Sequence, residues 1–239
     1  MDRYRFDLIR LSGKASFHSD YIQAEDIEMQ TEQTTIRANA RLEYSSLKTL
    51  GYFVDSVQID ADIKEAIVSS EEFISWLPTF PDFGLMEASG KVTGTVNDLN
   101  GKEITANFGK SSFNGNCIVK NATHSQDIFI EATGIDFKAY VDDYEQYIFP
   151  ISGYGLPENF RELKFFELKG NYIGDLNDIT LEGKIKTQLG GGYSNIKLSN
   201  VRTPDHLKYN GVVDLKDFNI GKFIQQEDIG YISVKGSID

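Results

Sequence analysis

Residues of the types that do chemistry are few in this chain, and their spacing is poor for it. His18, His124 and His206 stand far apart, with no HxxxH or HxE spacing, and Cys117 is the lone cysteine. A tetrahedral zinc site is therefore not predicted. No G-x-S-x-G elbow, P-loop or G-x-G-x-x-G phrase occurs. Gly190-Gly191-Gly192 is of the type that cradles phosphate, but it lies between strand-like runs with no helix N-terminus after it, so a flexible turn is expected. The pairs Asn97-Asp98 and Asn177-Asp178 offer hard oxygens of the kind calcium takes. Each copy supplies too few of them, and Asx side chains bonding the backbone of their own turn account for the pairs more simply. Asp55, Asp60 and Asp62 imitate a glycosidase pair, yet they fall on the polar phase of an amphipathic run, where a solvated face is expected. The expectation is a chain with no catalytic residues, no metal and no cofactor.

The elements that would position any site are strands. Period-2 alternation dominates, as in Ile104, Ala106 and Phe108, or Leu181, Gly183, Ile185, Thr187 and Leu189. The same phase runs through Ile36–Leu42, Val57–Ile63, Leu207–Leu215 and Ile232–Ile238. Asn100-Gly101, Asn114-Gly115 and Asn210-Gly211 read as turn dipeptides, the last alternatively as a bulge. Inward glycines such as Gly183, Gly211 and Gly236 let a curved sheet turn or approach another wall. Short helices are predicted over Ser69–Pro78, Ala139–Ile148, Pro157–Leu163 and Ile220–Gln226, the first with a capping serine and acid in its first turn. Their aromatics (Phe73, Trp76, Tyr144, Tyr147, Phe160, Phe223) either cap a core, the plainer reading, or lid an apolar groove.

An internal repeat organises these runs. Gly90-Lys-Val-Thr-Gly94-Thr-Val-Asn97-Asp98-Leu99 and Gly170-Asn-Tyr-Ile-Gly174-Asp-Leu-Asn177-Asp178-Ile179 share one phrase, and each is followed by a strand-like run ending in an apolar residue and glycine, Phe108-Gly109 and Leu189-Gly190. Upstream, Phe80-Pro81 and Phe149-Pro150 each close an acidic-aromatic segment. Stacked units are implied, read as one continuous array over 1–239 with repeats at 12–89 (partial), 90–169 and 170–239 (truncated). Both ends look like cuts through a longer array. The net charge of −12 disfavours attraction to nucleic acid or anionic headgroups. No transmembrane run and no signal peptide are visible.

The order of strand, acidic-aromatic helix, glycine phrase and strands ending in apolar-Gly, followed by Tyr209-x-Gly211-x-Val213-x-Leu215-x-x-Phe218-x-Ile220-Gly221, resembles the TamB family of the AsmA-like group, in its large Bacteroidetes-type form. The resemblance covers residues 12–239. It implies a mainly β fold: an elongated amphipathic sheet forming an open groove (a β-taco, β-solenoid-like) with a few short helices. It implies the periplasmic part of a protein anchored in the inner membrane by a segment outside this stretch. The implied role is in outer-membrane homeostasis, with phospholipid acyl chains, outer-membrane β-barrel proteins or an Omp85-type protein as partners. On that reading Ile104, Phe108, Leu181, Ile185, Leu189, Ile196, Leu198, Val213 and Leu215 line a lipid groove. Outside the family, the competing expectation is a non-enzymatic β-solenoid module binding carbohydrate or a β-strand client.

Overall fold

The computed structural model describes residues 7–74, 84–124, 126–148, 155–156, 158–203, 206–226 and 228–238. It is mainly β: thirteen strands form one sheet in strict sequence order, every neighbouring pair antiparallel. The strands are β1 (Arg10–Phe17), β2 (Tyr21–Gln30), β3 (Thr35–Glu43), β4 (Gln58–Ser69), β5 (Leu85–Gly94), β6 (Leu99–Phe108) and β7 (Ser111–Lys120). They continue as β8 (Phe129–Tyr140), β9 (Phe165–Gly174), β10 (Ile179–Thr187), β11 (Gly190–Ser199), β12 (Lys208–Asn219) and β13 (Tyr231–Ile238). Strands make extensive contact only with their sequence neighbours, so β1 and β13 do not meet and the sheet stays open. At about 4.8 Å between strands it extends roughly 58 Å along the hydrogen-bonding direction.

A four-strand unit recurs. β4, β8 and β12 are each 12 residues long, and each runs directly into a helical turn. These turns are α2 (Ser70–Ile74), α3 (Val141–Asp143, continued by a π-turn over Tyr144–Ile148) and α5 (Ile220–Phe223). A 3-10 turn over Leu47–Tyr52 and α1 (Phe53–Ser56) link β3 to β4, and α4 (Glu158–Arg161) precedes β9. The glycine phrases at Gly90 and Gly170 begin in the middle of β5 and β9, the first strands of their units. Trp76, Phe80-Pro81 and Phe149-Pro150 lie outside the described residues.

Register is held by one repeated device. β2, β4, β6, β8 and β12 each carry an extra residue opposite a single residue of the next strand. In four of these bulges a residue turns left-handed: Asp26 (φ 50), Glu103 (φ 52), Gly134 (φ 60) and Asp217 (φ 46). That turn removes its N–H from the ladder, and a side chain on the following strand accepts it instead. Asp26 N donates to Asn39 Oδ1 at 2.7 Å, Glu103 N to Asn116 Oδ1 at 2.9 Å, Gly134 N to Asn171 Oδ1 at 3.0 Å and Asp217 N to Ser233 Oγ at 3.0 Å. On the preceding strand a glycine makes room. A Cβ on Gly13, Gly90 or Gly115 would stand 2.7–2.8 Å from Ile27, Glu103/Ile104 or Ile135.

Three sequence expectations are corrected here. Asn100-Gly101, Asn114-Gly115 and Asn210-Gly211 all lie inside strands, because their glycines meet close backbone or isoleucine neighbours rather than reversing the chain. Gly190-Gly191-Gly192 is likewise the start of β11, squeezed between carbonyls of β10 and β12. Two helices start later than expected: β4 runs through Ser69 and β8 through Tyr140 before α2 and α3 begin.

Candidate functional site

Cross-strand partners in an antiparallel ladder share a face, so the register lists which side chains lie together. One row reads Leu11, Met29, Ile36, Ala66, Ala88, Ala106, Phe113, Phe137, Leu168, Ile185, Gly192, Leu215 and Val234, crossing every strand without a polar residue. Nearer the mid-line a second row runs Ala15, Ala24, Ala40, Ala61, Val92, Gly101, Cys117, Ala132, Tyr172, Leu181, Ile196 and Gly211. A third, from Phe17, Ile22 and Leu42 to Ile179, Leu198 and Tyr209, is also apolar or glycine throughout. The bulge row alternates small residues on odd strands with isoleucines on β2, β4, β6 and β8: Ile27, Ile63, Ile104 and Ile135.

Of the nine residues expected to line a groove, Ile104, Phe108, Leu181, Ile185, Ile196, Leu198, Val213 and Leu215 all fall on this one face. Leu189 does not; it is buried in the turn between β10 and β11, where its N–H donates to Thr187 Oγ1 at 3.1 Å. Most of the face is half-exposed. The chain exposes 14939 Å², whereas a compact globule of 26.9 kDa would expose roughly 10,800 Å². The thirteen strands form a single layer, and apart from rim aromatics such as Tyr147 no described element packs as a second layer over the apolar side.

Helical turns close one long rim of this face. α2 brings Glu72 onto the turn between β2 and β3, where it accepts from Thr31 Oγ1 (2.5 Å) and Gln33 N (3.2 Å). Burial opposes ionisation of Glu72, but hydrogen bonds from Thr31, Thr34 and the Gln33 backbone outweigh it and hold the carboxyl below its ordinary value. At the same place in the second unit Asp143, 5% exposed, accepts from Lys110 N (2.8 Å) and Ser111 Oγ (2.5 Å) over the turn between β6 and β7. The third unit has Lys222 there, and its turn is tied instead by Asn219 N to Leu189 O at 2.8 Å.

Two of the rim segments also carry packed aromatics. Tyr147 packs on the cluster of Ala66 and Val68 and faces Gly84, while Phe223 sits edge-on to both Phe160 of α4 and Phe218 of β12, with ring centroids 5.6 and 5.8 Å apart. These aromatics act as caps along the rim. The Phe73 side chain and Trp76 lie outside the described residues.

The opposite rim is laced by the Asn-Asp pairs, whose side chains reach to the next turn instead of bonding their own as expected. Asn97 Oδ1 accepts from Thr123 N and Thr123 Oγ1 (3.3 and 2.9 Å), and Asn177 Oδ1 accepts from Arg202 N (3.4 Å), so each clasps the next hairpin turn along. Only Asp175 shows the expected local pattern, accepting from Asn177 N and Asp178 N at 2.6 and 2.7 Å.

The other face is polar and ion-paired across strands, as in Lys169–Asp136 (2.7 Å), Arg37–Glu65 (3.0 Å) and Lys235–Asp214 (3.2 Å). Such exposed pairs are worth well under about 1 kcal/mol each. Two shallow depressions of about 230 and 250 Å³ open mainly on this face, below the roughly 300 Å³ at which small-molecule sites begin. Neither brings a nucleophile to a base. Asp60 and Asp62 point to this solvated side, and among the described residues no three metal-ligating side chains gather. No helix among them is long and apolar enough to cross a membrane.

Among known proteins, no family model, no curated relative and no solved structure matches this chain. Residues that sequence reading left out are those of the register: Asn39, Asn116 and Asn171, the isoleucines Ile27 and Ile135, and the carboxylates Glu72 and Asp143. A signal for them exists in a shorter phrase opening each unit: Leu11-Ser-Gly13-Lys-Ala15, Ala88-Ser-Gly90-Lys-Val92, Leu168-Lys-Gly170-Asn-Tyr172 and Val234-Lys-Gly236-Ser-Ile238.

Proposed function

We propose that this sheet is a section of a TamB-like envelope bridge whose apolar face carries phospholipid acyl chains between the two membranes. One observation carries the reading: unbroken apolar rows run the length of the open sheet and are left half-exposed. An uncovered apolar face of this extent is unusual for a soluble chain and marks a site of apolar contact. A 16-carbon chain in water is disfavoured by roughly 13 kcal/mol, at about 0.8 kcal/mol per CH₂. Contact with aliphatic rows offsets most of that, and because the contact is non-directional the chain slides from strand to strand without a fixed site. The rims would keep headgroups in water at the sheet margins while the tails lie on the face. The periplasmic location and an outer-membrane Omp85-type or β-barrel partner belong to the same proposal.

Transfer of a fluorescent phospholipid from donor to acceptor vesicles by the purified chain, with native mass spectrometry for copurified lipid, tests it. Ile104→Asp, Ile185→Asp and Leu215→Asp in one folded variant should abolish transfer. Undiminished transfer by that variant would sink the reading, as would a purified chain that neither retains nor moves lipid.

A further inference from the structure

We infer that the polar face of the third unit, along β11, binds an acidic polysaccharide whose sugar rings carry carboxylates. The first observation is a set of lysines left over after ion pairing. Two neighbouring cross-strand rows on this face hold three carboxylates, and each already has a lysine: Asp136–Lys169 (2.7 Å), Glu167–Lys138 (3.0 Å) and Asp214–Lys235 (3.2 Å). Lys184, Lys186 and Lys216 lie in the same rows, exposed, and form no ion pair among the described residues. Asp217, next to Lys216 in the chain, forms none with it either. Lys184 stands directly opposite Lys169, and Lys186 and Lys216 flank Gly191 from either side. Like charges set opposite one another destabilise a sheet, and a bound polyanion would relieve that repulsion.

The second observation is an aromatic ring on the same face. Tyr193, 39% exposed, lies between Lys184 and Asp214. Its hydroxyl donates to Glu182 Oε1 at 3.4 Å, and Asn171 Nδ2 donates to Glu182 Oε2 at 3.4 Å, so the ring is tethered at its tip. An exposed ring of this kind is a platform for the C–H face of a sugar, and nearby amides such as Asn195 suit its hydroxyls. Lys186 and Lys216 are anchored about 9.6 Å apart, two strand spacings, with Gly191 placing no side chain between them. Lysines are separate point charges, and no arginine fork for bidentate phosphate binding lies in these rows. The net charge of −12 disfavours nucleic acid. The strip is open rather than pocketed, which fits a chain-like ligand better than a small one. It lies on the face opposite the apolar rows, so the assignment is independent of whether those rows carry lipid.

The test titrates the full chain by calorimetry with an oligogalacturonate, with the same oligomer neutralised by methyl esterification, and with a polyglutamate peptide of equal charge. Saturable binding of the acidic oligomer is expected, weakening as salt rises, with the other two probes bound about tenfold or more weakly. Lys186→Gln combined with Lys216→Gln should weaken the acidic oligomer by about tenfold or more and leave the ester unchanged. Tyr193→Leu should weaken both sugars and spare the peptide. All three side chains are exposed, so the variants should keep their circular dichroism and melting temperature. Should one misfold, the ranking of probes on the unaltered chain and hydrogen exchange slowed over β10–β12 still decide. No binding, equal affinity for acid and ester, or variants without effect would overturn the assignment. So would tightest binding of the peptide, since the patch would then belong to an acidic protein.

Discussion

The floor of the apolar face is built differently over β2–β6 and over β7–β10. In the first stretch small side chains dominate: Ala24, Ala38, Ala40, Ala61, Ala66, Ala88 and Ala106 lie in the rows, and the single buried cluster there, Ala66 with Val68, borrows Tyr147 from the next unit. In the second, Phe113, Phe137, Phe166, Tyr172, Leu181 and Ile185 surround Ala132, Ile135 and Leu168, which are buried to 5% exposure or less. One phase of alternation thus builds a cluster of bulky side chains in one stretch and an alanine floor in the other, and the two differ in side-chain volume. Bulky neighbours on adjacent strands cover one another even in a single-layer sheet. Alanines offer less cover, and of those named only Ala61 and Ala66 are buried while the others stay half-exposed.

The largest expected effect strikes the packed stretch. Leu168→Ala should cost about 2–5 kcal/mol by chemical denaturation, as for a fully enclosed leucine. A loss under about 1 kcal/mol would show the two stretches to be equally loose. Next comes the rim. Asp143→Ala leaves Lys110 N and Ser111 Oγ without their buried acceptor and should cost about 1–3 kcal/mol, whereas Lys222→Ala at the matching place should change melting very little. Equal effects at the two sites would mean that the rim is held by something other than its carboxylates.

A smaller effect probes register. Asn116→Ala removes the acceptor for Glu103 N, which solvent partly replaces, and about 0.5–1.5 kcal/mol should be lost, with hydrogen exchange quickened around the bulge. On the alanine stretch, Ala88→Leu should leave stability within about 1 kcal/mol while slowing lipid transfer, since Ala88 is half-exposed and not part of the buried cluster. A loss of several kcal/mol would show the alanine floor to be packed already. The smallest effect is on pH. Glu72 titrates below its ordinary value when folded, so its contribution is present above the unfolded carboxylate range and fades as pH falls through its folded value. Glu72→Gln should flatten that acid limb of the stability curve without altering stability near neutrality by much; an unchanged limb would remove Glu72 from the rim's support.

Much of the strand content was legible along the chain because period-2 alternation is a local property. Ile104, Leu181, Ile196, Val213 and Leu215 share a face for that reason. The dipeptides Asn100-Gly101 and Asn114-Gly115 misled because a glycine admitting a neighbour's isoleucine is indistinguishable, in sequence, from one that reverses the chain. Leu189 kept the inward phase of β10 but fell two residues past its last ladder pair, at Thr187, and so became a turn residue. The Asn-Asp pairs lie in turns, but their side chains clasp the next hairpin instead of bonding their own turn as the sequence suggested, since Thr123 and Arg202 are near them only across strands.

The chain by itself determined a one-face-apolar, acidic, strand-rich array with short helices punctuating long strands. Alternation, charge and capping all act within a few residues of one another. Tertiary structure alone decided that the strands pair in strict order, that bulges with their asparagine acceptors align the apolar rows, and that the sheet stays open. Those outcomes depend on which backbone N–H finds which acceptor on another strand. Side-chain volume across strands then settled where the apolar face gathers into a cluster of bulky residues and where it is floored with alanine.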